Sequence, residues 1–282
     1  MDLPTQRERA AALRRLHQGP GILLLPNVWD VASARLVETA GFPAVATSSA
    51  GVAFVLGYPD GERISREEMA EWVGRIARRV AVPVTADMEA GYGPTPDDAA
   101  ATARAVIKAG AVGMNLEDAP PPGPGGEGKL MDQALQVERI RAAREAAAAA
   151  GVAIVINART DVFLAAVGEP ATRLAHAVRR LAAYRDAGAD CLFAPGVCDA
   201  ATIGALVREL GAPVNILAGK GCPPIPELAR LGVRRVSLGS GVIRAALGLV
   251  RRIAEELRGS GTYEQLLAGT IPHAEMNRLL ER

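Results

Sequence analysis

Aromatic residues are scarce in this chain: four Phe, four Tyr and two Trp among 282 residues. With a net charge of only +1, that scarcity argues against nucleic acid as a partner, because base stacking needs aromatic faces and phosphate binding needs a basic excess. Cysteine is rarer still. Cys191, Cys198 and Cys222 form no C-x-x-C pair. An odd count behind an N-terminus without an apolar signal segment leads us to expect reduced thiols in a cytoplasmic protein. Histidine is limited to His17, His176 and His273, all in helix-like stretches, so zinc lacks its usual ligands at the strand ends. No apolar run reaches the roughly 18 residues that a transmembrane helix needs, and no membrane partner is expected.

What the chain does have is a repeating alternation. Short apolar runs occupy 21–27, 44–49, 82–88, 112–118, 152–159, 190–196, 213–219 and 234–240. Between them lie Ala-, Arg-, Glu- and Leu-rich helix-like stretches at 30–40, 65–80, 96–109, 132–150, 170–187, 199–210, 224–231 and 240–257. Continuous apolar strands alternating with amphipathic helices indicate a parallel sheet covered by helices. Eight such units favour an α/β fold of the (β/α)8 TIM-barrel type over an open doubly wound sheet. We expect a barrel with its N-terminal helix over 1–258 and a helical tail over 259–282, packed on its own barrel or swapped to a neighbouring subunit. Joints such as "IKAGAVGM" and "YRDAGADC" end a helix at glycine and read as the turns of the barrel's bottom.

The other ends of the strands carry polar residues, and in a barrel those ends form the face where active sites are built. Ser48 and Ser49 end the second run, with Asp60 a little further on; Asp87 lies at the end of the third and Glu89 just beyond it. Glu117 and Asp118 end the fourth, Asn157, Arg159 and Asp161 the fifth, and Asn215 lies in the seventh, with Lys220 beyond it. Residues i and i+2 of a strand share a side, so Asp87 and Glu89 are expected to converge just before a flexible "GYG" loop. Converging carboxylates need a metal, an arginine or a shared proton. Four acids from three successive units form an all-oxygen environment suited to Mg²⁺ or Mn²⁺, and Arg159 is placed to grip a carboxylate bidentately.

In order and spacing, "PNVWDVASARLVETAGFPAVATSSAGVAFVLGYPDG", "DMEAGYG", "NLED", "NARTD" and "VSLGS" resemble the isocitrate lyase/phosphoenolpyruvate mutase superfamily. The resemblance implies an α/β barrel, often a helix-swapped tetramer, that binds Mg²⁺ and a small 2-oxo or 2-hydroxy carboxylate and passes through an enolate. It implies that Asp87 ligates the metal directly while Asp60, Glu89 and Glu117 hold its waters. It also implies that Ser48, Ser49 and Ala50 contact the substrate carboxylate and that Arg159 pairs with it. Arg159, Glu117 and Asp60 are thus the candidate catalytic residues; Asp87, Glu89 and Glu117 the metal set; Ser48, Ser49, Ala50, Arg159 and Asn215 the substrate contacts. A homo-oligomer, dimer or tetramer, is expected with them.

The loop over 119–129, "APPPGPGGEGK", departs from the superfamily. It has neither the cysteine of the isocitrate lyases nor the asparagine of the mutases, and offers only Glu127 and Lys129 for acid, base or charge work. We therefore expect carbon–carbon cleavage or decarboxylation of a small diacid. The alternatives are a P–C phosphonomutase or phosphonopyruvate hydrolase type of reaction, a Schiff-base aldolase using Lys220, and a non-catalytic metabolite-binding barrel. Cys222, beyond the seventh run, is expected to be a buried or semi-buried thiol, with replacement of the missing acid as its less favoured role.

Overall fold

The first apolar run, "GILLLPN", carries a proline where a strand should continue. In the computed structural model, which describes residues 2–121 and 128–281, Pro26 divides that run into β1 (Leu23–Leu25) and β2 (Asn27–Val28). Proline has no N–H to give a sheet ladder. β1 pairs with the last strand and β2 with the next one, so the chain itself carries the sheet around the barrel seam.

After α1 (Leu3–Gln18) and the divided strand come α2 (Val31–Thr39), β3 (Val45–Thr47), α3 (Ser49–Leu56), α4 (Arg66–Ala77), β4 (Val84–Asp87) and α5 (Pro96–Ala109). Then follow β5 (Gly113–Glu117), α6 (Gln133–Ala149), β6 (Val155–Arg159), α7 (Arg173–Asp186), β7 (Cys191–Phe193) and α8 (Ala200–Leu210). The chain ends with β8 (Val214–Leu217), α9 (Ile225–Arg230), β9 (Arg235–Ser237), α10 (Gly241–Gly259), α11 (Glu264–Leu267) and α12 (His273–Leu280). Every strand pairing is parallel, in the order β1-β9-β8-β7-β6-β5-β4-β3-β2, so the expected α/β barrel is the observed one. The helix-like stretches all became helices. α3 was not expected: its sequence SAGVAFVL is apolar all round and shows no helical periodicity.

Register sets the layers of the barrel interior. Asp87 lies opposite Asn115, Asn115 opposite Asn157, and Asn157 opposite Cys191. Two residues further along, Glu117 lies opposite Arg159 and Arg159 opposite Phe193. Below both layers α1 closes the bottom with Leu13 and His17, each buried. Arg235 of β9 is buried beside them, its Nη1 3.4 Å from His17 Nε2 and its Nη2 3.5 Å from Asn115 Oδ1. Burial, then Arg235, drives the His17 pKa down to about 4.

The helices are cut by local signals. α5 starts with Pro96 after Thr95, whose hydroxyl accepts from Asp98 N while the Asp98 carboxylate accepts from Thr95 N, a reciprocal capping box. It ends at Gly110, φ 90°, the left-handed conformation expected at these joints. At the far end of the chain α12 returns to α2, where Arg35 Nε donates to Leu279 O at 3.1 Å and Arg79 donates to Leu280 O. Among the described residues no helix is long and apolar enough to cross a membrane.

The cysteine expectation is corrected for two of the three residues. Cys198 and Cys222 form a disulfide with Cα atoms 4.2 Å apart, and Cys191 is free and buried. They lie 24 residues apart, beyond the ends of β7 and β8, and the fold makes those two strands neighbours. Spacing along the chain carries no sign of that.

Candidate active site

Asp87, the last residue of β4, is held on three sides. Its Oδ2 accepts from Ser49 N at 3.0 Å and Ser49 Oγ at 2.9 Å, and its Oδ1 accepts from Asn115 Nδ2 at 3.2 Å. Ser49 opens α3, so the carboxylate also lies at the positive end of that helix. Ser48 is the cap: its hydroxyl accepts from Gly51 N at 3.2 Å. Ala50 N–H falls in the first turn of α3, where the helix supplies no acceptor, and so is placed to receive an anion. Ser48, Ser49 and Ala50 are all buried.

Asp60 joins this group from the loop after α3, its Oδ1 3.4 Å from Ser49 Oγ. Burial and then the Asp87 charge raise its pKa. Glu89 arrives by a different route from the one expected. β4 ends at Asp87 and Glu89 has φ 50°, so a left-handed turn, not strand alternation, brings it to the cluster. Burial, then Asp87 and Asp60, push its carboxyl up to about 8.

The "GYG" loop is braced throughout, contrary to the flexibility expected of it. Arg139, fully buried, donates to Ala90 O and to Gly93 O (3.0 Å); Thr102 Oγ1 donates to Gly91 O at 2.7 Å and Arg66 Nη2 to Tyr92 O at 2.7 Å. The glycines answer to packing. A Cβ on Gly91 would stand 2.8 Å from Leu116 Cδ1, and one on Gly93 2.3 Å from Asp98 Cγ.

On the neighbouring strands Glu117 and Arg159 form a half-buried ion pair, Oε2 to Nη1 2.6 Å. Asp161 grips the same guanidinium through Nε at 2.5 Å and Nη2 at 2.7 Å. Among the described residues no other acceptor takes an N–H of Arg159, which leaves one on each terminal nitrogen for a carboxylate. Burial works against the charge on Arg159, but Glu117 and Asp161 outweigh it and raise its pKa. Burial raises that of Glu117, Arg159 pulls it back, and the surrounding acids add to the rise. Phe193 stacks under Arg159 with the guanidinium carbon 5.8 Å from the ring centre.

The structure therefore gathers Ser49, Asp60, Asp87, Glu89, Glu117 and Arg159 on one face. Asn215 lies opposite Phe193 on the neighbouring strand; it is fully buried, and its amide bonds with Ser237 Oγ at 3.3 and 3.4 Å. Asp118, adjacent to Glu117, is absorbed by structure, taking bonds from Thr160 Oγ1, Asp161 N, Arg180 Nε and Tyr184 OH between 2.7 and 2.9 Å. Lys129 and Lys220 are exposed, and Glu127 lies outside the described residues. The Cys198–Cys222 bond removes Cys222 as a substitute acid. A hollow of about 620 Å³ lined by Leu16, Ile22, Leu24, Phe42 and Pro43 lies at the barrel's bottom and gathers no acids. Asp161 holds Arg159 and Asn115 holds Asp87, contacts that the sequence did not assign; the signal for Asp161 was its i+2 spacing from Arg159.

The acid set suits a divalent cation. Asp60 and Glu89 have pKa values raised in part by neighbouring carboxylates, a repulsion that a cation would relieve. Among the described residues no three His, Cys, Asp or Glu side chains could ligate one ion together.

Comparison with known proteins agrees with this architecture. The family model for phosphoenolpyruvate phosphomutase matches residues 13–258, and the chain belongs to that family. It is 30% identical over 285 aligned positions to oxaloacetate decarboxylase of Rhodopseudomonas palustris strain ATCC BAA-98 / CGA009, covering 97% of this chain and 93% of that one. Among solved structures, a Burkholderia cenocepacia J2315 protein, for which a lyase or mutase role is only proposed, superposes with TM-score 0.90 and 41% identity over 99% and 98% of the two chains. A 2,3-dimethylmalate lyase, described as a PEP mutase/isocitrate lyase superfamily member, gives TM-score 0.83 and 28% identity over 97% and 94%. The expected superfamily, barrel and enzymatic class are borne out.

Proposed function

We propose that this chain is a Mg²⁺- or Mn²⁺-dependent lyase that decarboxylates a small 2-oxo diacid through a pyruvate-like enolate, or cleaves a 2-hydroxy diacid to a 2-oxo acid and the enolate of the departing carboxylate. One observation carries the reading: a cluster of acids, with Glu89 buried and Asp87 and Glu117 half-buried, gathers beside an arginine that among the described residues keeps an N–H on each terminal nitrogen for a ligand. In this proposal Asp87 ligates the ion, and Asp60, Glu89 and Glu117 hold its waters. When bound there, the ion supplies Lewis acidity toward the substrate's 2-oxygen.

The chain's own residues do the rest. The free N–H groups of Arg159 receive the C1 carboxylate and meet the charge that develops on the enolate oxygen. Glu117 and Asp161 keep that guanidinium in one orientation, so it does not reorganise during the reaction. Ala50 N–H, at the start of α3, offers a second contact to the carboxylate. The oxaloacetate decarboxylase and 2,3-dimethylmalate lyase relatives named above support carbon–carbon chemistry. The exposed Lys220 lacks the desolvated surroundings that activate a Schiff-base lysine.

The test is product release from oxaloacetate and from 2- and 3-substituted malates, with Mg²⁺ and with EDTA. Mg²⁺-dependent release of pyruvate or its homologue is expected from at least one of them. No turnover across the panel contradicts the reading.

We also propose that α10 and α11 meet a second copy of this chain. Leu247, Val250 and Leu257 of α10 and Leu266 and Leu267 of α11 are all exposed, an unpartnered apolar face of the kind that marks an interface. Light scattering should return a mass at least twice 29.3 kDa; a monomer at micromolar concentration contradicts this.

A further inference from the structure

Three non-glycine residues near the acid cluster have left-handed backbones: Glu62 (φ 55°), Glu89 (φ 50°) and Tyr92 (φ 57°). Such conformations cost about 1 kcal/mol or more each and persist where surrounding contacts enforce them. Here the three residues enforce one another. Glu62 N donates to Glu89 Oε2, and Tyr92 N donates to Glu62 Oε1 at 2.8 Å. The loop after α3 thus fixes the Glu89 carboxylate with its backbone and is itself fixed, through the Glu62 side chain, to the loop that carries Glu89. The carbonyls of Ala90, Gly91, Tyr92 and Gly93 already have donors in Arg139, Thr102 and Arg66. The acceptor of the Tyr92 N–H is the Glu62 carboxylate.

We propose that Glu62 is a positioning residue for the metal site, a latch whose side chain holds the backbone that aims Glu89. The inference rests on the proposed cation site and adds to it a residue that touches neither ion nor substrate. The latch needs an oxygen acceptor and not a charge. Glutamine at position 62 satisfies Tyr92 N–H through its amide oxygen, whereas alanine leaves that N–H unpaired.

The experiment is direct Mn²⁺ binding, followed by electron paramagnetic resonance, to the wild-type chain and to Glu62→Ala and Glu62→Gln, with thermal melts of all three. Supporting residues around a metal commonly control 10–100-fold in affinity, so Glu62→Ala should weaken Mn²⁺ binding by roughly tenfold and Glu62→Gln by less than about threefold. Equal weakening in both variants makes the charge, not the latch, responsible and overturns the proposal. So does unchanged Mn²⁺ affinity in Glu62→Ala, with or without a lower melting temperature. A wild-type chain that binds no Mn²⁺ overturns the metal reading and this inference together, which separates the two failures.

Discussion

Arg159 serves two sets of partners at once, holding Glu117 and Asp161 while keeping two N–H groups for a ligand. Lysine cannot reproduce that fork. Arg159→Lys is therefore expected to lower kcat/KM at least about a hundredfold, in the range seen when one donor to a developing oxyanion is lost. Steady-state kinetics on the substrate found in the panel checks it. Glu117, Arg159 and Asp87 were legible in the sequence because each closes an apolar run at a strand's C-terminal end. Glu62 was not, because its role depends on a left-handed turn and on a loop 27 residues away. Asp118 was ambiguous beside Glu117, and only the placement of Arg180 and Tyr184 on α7 decides between them.

At the level of elements, the loop after β4 and the helix after it form one unit. Gly93, φ 142°, packs against Asp98, and Asp98 completes the cap with Thr95. Thr95→Ala removes one half of the box and should cost about 1 kcal/mol in stability, read from denaturant unfolding; a change within experimental error contradicts the capping role. Helices and strands were legible because their apolar periods differ and glycine ends most helices. α3 was not, since an all-apolar octet between two loops has no periodicity to read. The disulfide between the β7 and β8 loops predicts one titratable thiol per chain in denaturant without reductant and three after reduction, as counted with a thiol reagent.

Over the whole molecule, the acid cluster sits at one end of the barrel and the His17–Arg235 pair at the other. His17 has a folded pKa near 4, below its unfolded value of 6.5. The unfolded chain therefore binds the extra proton between those values, and stability falls as pH drops through that window. Glu89, raised to about 8 in the folded chain, acts with the opposite sign over the same range, so the readout is the difference between chains: from pH 7.5 to 4.5 the Tm of His17→Gln should rise relative to that of the parent chain. An unchanged slope in the variant assigns the acid sensitivity to other groups. The barrel was legible from eight alternating units, whereas the closure through Pro26 and the return of α12 onto α2 depend on contacts between distant parts of the chain.

In the proposed reaction the acids and Arg159 act jointly, through a cation, on an enolate-like dianion. Oxalate has the shape and charge of enolpyruvate without its C3 substituents, so its binding does not depend on knowing the substrate. Titration calorimetry of oxalate with and without Mg²⁺ should give binding that requires Mg²⁺ and is lost in Asp87→Asn. Oxalate binding of equal strength in EDTA, or undiminished in Asp87→Asn, would contradict the account.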